Sequence, residues 1–218
     1  MTSKLGRCST DSTGTIVTQM SGVQFAPSWV GLQMVINGFL LPNGTAPTIT
    51  AVSADCTQLT MSQSVGQNLS RVPFAPNRET VYQAFFNLLK LKLPGVAAFS
   101  RVPQSFDNLP VDIATPFVFV EQVGEEQTIN SKGMPYHWHL NLAIGIFCVS
   151  PDPTQIVPAS LLNPILDGLE RAIPPSPVVA QTLDGLVDQA RLFGPEHNAA
   201  GAIAEKAWAY CPAFISAT

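Results

Sequence analysis

Over residues 1–72 the apolar positions come in short alternating runs: GTIVTQM (14–20), GLQMVING (31–38), TITAVS (48–53) and TQLTMSQ (57–63). In the second run Leu32, Met34 and Ile36 point one way and Gln33, Val35 and Asn37 the other. In the last, Leu59 and Met61 alternate with Thr60 and Ser62. Successive side chains of a strand leave opposite faces, so this period marks half-buried strands. Asn37-Gly38 and Asn43-Gly44 are turn dipeptides, and SADC (53–56) reads as a turn before Thr57. No stretch of this half has helical periodicity. The pattern predicts a small all-β, barrel-like module of four or five strands over residues 1–72, with Trp29 in APSWVG as a core or rim anchor and a candidate partner contact.

The pattern changes after SRVPFAPN (70–77), where Pro73 and Pro76 stiffen a linker placed at 73–77. Asn77 is a good N-cap. After it, Val81, Phe85 and Leu88 with Tyr82, Phe86 and Leu89 form a broad apolar face at helical spacing, ended by LPGV (93–96). AAFSRV (97–102) and TPFVFVEQVGEE (115–126) read as strands, the second turning acidic, with an exposed loop expected over 121–135. In LNPILDGLERAIPP, Asn163 is expected to cap a second helix with Pro164 at its first position, and Ile165, Leu166, Leu169 and Ile173 as its buried stripe. QARLFGPE and KAWAYCPAFISA close the chain as strands.

Between those helices lies HWHLNLAIGIFCV (137–149). As a strand it carries Trp138, Leu140, Leu142, Ile144, Ile146 and Cys148 on one face, all apolar and in need of cover. His137, His139, Asn141, Ala143, Gly145 and Phe147 share the other. Residues 78–218 therefore read helix, three strands, helix, two strands. The expected class is α+β: a mostly antiparallel sheet with two helices packed on one face, preceded by the small β module.

Charge changes the picture in two ways. The net charge of -4 argues against a protein held to nucleic acid by phosphate contacts. Only 12% of residues are charged, about half the usual share. Residues 1–72 hold just Lys4, Arg7, Asp11, Asp55 and Arg71. A chain so poor in charge either covers itself with Ser, Thr, Asn and Gln or buries surface against a partner. No apolar run is long enough to span a bilayer, no signal peptide is recognisable, and no membrane role is expected.

Candidate chemistry is sparse. His137 and His139 share a strand face, yet supply only half the ligand shell of a closed metal site, and His197 is remote in sequence. The four cysteines, Cys8, Cys56, Cys148 and Cys211, are isolated, and Cys148 lies on the face opposite the histidines. There is no phosphate loop, nucleophile elbow, His-Glu-x-x-His or Cys-x-x-Cys. Glu121, Glu125 and Glu126 form the densest acidic cluster but show no acid–base partner; Asp184 and Asp188 read as a solvated turn. No enzyme activity, metal or cofactor is expected.

Five segments together resemble the tail-terminator proteins of long-tailed bacteriophages. They are RETVYQAFFNLLKLKLPGVAAFSR (78–101), PFVFVEQVGEE (116–126), WHLNLAIGIFCVSP (138–151), LLNPILDGLERAI (161–173) and QTLDGLVDQARLFG (181–194). Order and spacing carry the resemblance, since most matched positions are core hydrophobes. It implies an α+β subunit of a ring, usually hexameric, seated on the last layer of the tail tube and meeting the head-completion or connector protein. Its place is the head-proximal end of the virion tail, after assembly in the host cytoplasm. DNA would pass through the lumen without specific binding, and Glu121, Gln122, Glu125, Glu126 and Gln127 are the candidate interface or lumen residues. Residues 1–72 lie outside that pattern and more weakly resemble small β modules of other virion proteins. Another head–tail adaptor ring, or a non-catalytic ligand-binding module, remains open at this point.

Overall fold

The computed structural model describes residues 5–104, 114–128, 137–150, 152, 158–175, 181–193, 197–198 and 206–217. The protein is α+β, and its described residues form two α-helices and two sheets. It divides into two compact units: Met1–Phe85 with Thr182–Asp188 and Ala217–Thr218, and Phe86–Gln181 with Gln189–Ser216.

The first unit holds β1 (Gly6–Thr10), β2 (Ile16–Gly22), β3 (Val35–Ile36), β4 (Ile49–Val52), β5 (Gln58–Met61) and β6 (Val72–Ala75). They pair antiparallel in the order β3-β6-β1-β2-β5-β4. The outer strands then meet. Met34 N–H donates to Pro47 O at 3.0 Å and Ile49 N–H to Leu32 O at 2.8 Å, beside a bridge between Gln33 and Thr48. The sheet thus curls back on itself, which covers edges that would otherwise offer unpaired backbone. Inside lie Cys8, Val17, Met34, Ile36, Ile49 and Leu59 with the rings of Phe25, Trp29 and Phe74. The predicted alternation is visible here: Leu59 and Met61 are buried while Gln58 is exposed.

Two of these six strands were not foreseen. β1, GRCST, is polar except at Cys8. β6, VPFA, falls across the stretch read as a linker. Pro73 is tolerated there because its nitrogen, which has no N–H to donate, faces the same side as its carbonyl, and that carbonyl meets Asn37 N–H just past the end of β3, where the ladder runs out. Asn37 and Gly38 both have positive φ, 51° and 76°, as a tight turn of this hand requires, and Phe39 N–H closes it on Ile36 O.

Helix α1 (Arg78–Lys92) begins in the first unit and ends in the second. Asn77 caps it as expected, its Oδ1 accepting Thr80 N–H at 2.8 Å, and the buried Thr80 hydroxyl also lies 2.6 Å from Gln33 O. Val81, Tyr82, Phe85, Phe86 and Leu89 form the buried face.

The second unit contains β7 (Ala98–Ser100), β8 (Phe117–Thr128), β9 (His137–Val149), α2 (Pro158–Ala172), β10 (Gln189–Leu192), β11 (His197–Asn198) and β12 (Lys206–Ala217, whose last residue clusters with the first unit). The sheet runs β10-β12-β9-β8-β7, with β11 also on β12. β7 is parallel to β8; β8/β9, β10/β12 and β11/β12 are antiparallel. Helix α2 starts five residues before Asn163, so Asn163 is an exposed mid-helix residue and Pro164 lies inside the helix, not at its first position. The interior proline forgoes one backbone hydrogen bond. Burial of Leu162, Ile165, Leu169 and Ile173 at helical spacing offsets that loss; Leu166 is only half-buried. A Cβ on Gly168 would come within 2.7 Å of Leu93, so the glycine lets this helix close against the segment ending α1.

Candidate functional site

The long β8–β9 ladder organises the acidic candidates together with His137 and His139; His197 lies on β11, opposite Tyr210 of β12. Phe117 pairs with Phe147, Phe119 with Gly145 and Glu121 with Ala143. The register then slips between Gln122 and Gly124, leaving Val123 as a bulge, and resumes with Gly124 opposite Asn141, Glu126 opposite His139 and Thr128 opposite His137. Residues paired across an antiparallel ladder share a face. One face therefore carries Phe117, Phe119, Glu121, Gly124 and Glu126 beside Phe147, Gly145, Ala143, Asn141 and His139. The other carries Val118, Val120, Gln122, Glu125 and Gln127 beside Ile146, Ile144, Leu142, Leu140 and Trp138. The bulge keeps both faces in phase despite the added residue.

This geometry corrects one expectation. The acidic stretch is not a loop from residue 121: Glu121–Thr128 continues β8, and the rest of the expected loop, 129–135, lies outside the described residues. The apolar run of β9 needs a ladder partner along its full length, and that outweighs the polar side chains opposite it. Gln122, Glu125, Glu126 and Gln127 are exposed and Glu121 is half-buried. β7 flanks β8 only at Phe117–Phe119, so among the described residues no named strand lies outside this acidic stretch.

The histidine face extends across the sheet. The His139 ring lies 4.8 Å from that of Phe214 on β12. Phe214 pairs in register with Arg191 on β10, whose guanidinium carbon stands 5.7 Å from the same ring. Phe193, just beyond β10, meets Phe214 edge-on at 6.3 Å. A row thus crosses four strands on one face: Glu126, His139, Phe214, Arg191. The Nε of Arg191 is buried, with no hydrogen-bond partner among the described residues. Sequence reasoning singled out neither Arg191 nor Phe214, since nothing local ties them to His139; only the β10–β12–β9 order does.

The other candidates stay apart. Trp29 is fully buried against Phe25, ring centroids 5.8 Å apart, so it is a core anchor and cannot reach a partner. Among the described residues no group of three or more His, Cys, Asp or Glu is placed to hold a metal. Burial pushes the thiol of Cys8 up to about 12 and that of Cys148 up to about 11; burial, then the charge of Glu170, raises Cys211 to about 12. Such thiols are protonated and poor nucleophiles at neutral pH. Asp184 is exposed and accepts a hydrogen bond from Ser28 in the first unit. A groove of about 400 Å³ in that unit is lined by Val35, Leu40, Asn77, Arg78 and Glu79, with no nucleophile or acid–base pair. No described helix is long and apolar enough to cross a membrane.

No protein-family model matches the chain, and no curated protein matches it.

Proposed function

We propose that this chain is a structural virion protein: a subunit of a ring that caps a bacteriophage tail tube, ends its growth and offers the surface on which the head joins. The observation that carries the proposal is the succession of elements over residues 78–217. It runs helix, three strands, helix, closing strands, the order implied by the resemblance to tail terminators. Low charge adds support, because contacts between copies bury surface that a lone subunit would cover with charge. The acidic, solvent-facing stretch of β8 suits a lumen or tube contact: carboxylates repel a passing phosphate backbone and so keep DNA from sticking.

Ending polymerisation requires contacts that close. Head-to-tail contacts between identical subunits give a ring if the rotation closes and a filament if it does not. A closed ring engages the tube end through several weak contacts at once, so capping needs no single strong anchor. Electron microscopy of the purified protein, with and without isolated tail tubes, tests this. Rings seated on one end of each tube are expected. Protein that remains monomeric and leaves tube ends bare would falsify the proposal.

A further inference from the structure

The second unit's sheet carries its charge asymmetrically. On one face, the β8 side ends in Glu126, and three residues before it on the same edge strand the bulged Val123 is 60% exposed. On the same face the β10 side ends in Arg191, with Phe193 beside it at 49% exposure. Glu126 and Arg191 share that face because Glu126 pairs with His139, His139 packs on Phe214, and Phe214 pairs with Arg191. They are three strand spacings apart, about 14 Å, too far to pair within one copy. Among the described residues no carboxylate pairs with the Arg191 guanidinium, whose Nε is buried without an acceptor.

An acid with an apolar neighbour on one edge and a cation with an apolar neighbour on the other complement each other only between copies. We propose that a second copy of this chain docks head to tail on this sheet, Glu126 and Val123 of one copy meeting Arg191 and Phe193 of the next. This deepens the ring reading above and rests on it. The seam is made by side chains and not by a continued ladder, because Ala190 N–H on β10 is already taken by Gln181 O. The isologous alternative, two copies face to face, would satisfy both charges in a dimer and stop there.

The test is complementary charge reversal, read as mass by sedimentation velocity. Glu126→Arg alone puts arginine against arginine at every seam; Arg191→Glu alone puts glutamate against glutamate. Each should raise the concentration for half-assembly about tenfold or more. In an equimolar mixture every seam of an alternating ring regains one acid and one arginine, so assembly should return to the wild-type range. Circular dichroism checks that each variant folds. Where Arg191→Glu does not fold, Arg191→Gln replaces it and should weaken assembly less.

A wild-type ring indifferent to both reversals, or a mixture no better than its components, overturns the seam and leaves the ring reading standing. A wild-type mass that stops at a dimer overturns the head-to-tail arrangement. A wild-type chain that stays monomeric overturns both.

Discussion

At the scale of single residues, packing separates groups that look alike in sequence. Cys8, Cys148 and Cys211 are fully buried, while Cys56 is partly exposed in a turn at φ 58°. A thiol reagent should therefore label one cysteine in the native protein and four after denaturation, as counted by mass spectrometry. Gly145 is equally constrained: a Cβ there would lie 2.2 Å from the Phe119 ring. Gly145→Ala should cost about 1–3 kcal/mol of stability in a denaturant melt, as overpacked cores do. Asp11 and Asp55 lie below their ordinary 3.8, Asp11 chiefly through the Thr13 hydroxyl and Asp55 through those of Ser53 and Thr57. A depressed acid stabilises the fold above its unfolded value and loses that contribution as pH falls through its folded one. Thr13→Val should therefore narrow the stability gap between pH 6 and pH 3, measured as the difference in Tm. Sequence alone placed the strand faces of His139 and Leu59 correctly. It could not see that Arg191 stands over Phe214, because that contact depends on strand order and not on spacing.

At the scale of elements, local signals worked where the local chemistry is self-sufficient. Asn77 and the apolar stripe after it specify α1, and Asn37-Gly38 specifies a turn. Asn77→Ala removes the acceptor for Thr80 N–H and should cost about 1 kcal/mol in a thermal or denaturant melt. The same signals misled where a neighbour decides. Asn163-Pro164 looks like a helix start, but Leu162 is buried in line with Ile165 and Leu169, and that packing carries α2 back to Pro158. EQVGEEQ looks like a loop, but β9 holds it as a strand. VPFA looks like a joint, but β1 and β3 hold it from both sides.

At the scale of the whole molecule, the chain does not divide at one point in sequence. Thr182–Asp188 clusters with the first unit, where Leu183, Leu186 and Val187 are buried. Its turn runs through Leu183, Asp184 and Gly185, all at positive φ, and Thr182 O accepts two N–H groups, from Gly185 and Val187. This conformation costs energy for the two residues that are not glycine, and burial of its leucines offsets the cost. A fragment beginning at Pro76 should expose those side chains and bind a hydrophobic dye more strongly than the full chain does. Composition drew the boundary at residues 73–77 because it reports where the polar half ends; it carries no signal for a distant segment that returns. The central claim concerns tail length, and the most direct measurement is the length of tails made by a phage lacking this protein. The account predicts filled heads, unjoined tails and tubes of uncontrolled length. Tails of normal length attached to heads would contradict it and favour an adaptor ring or a decoration of the tail.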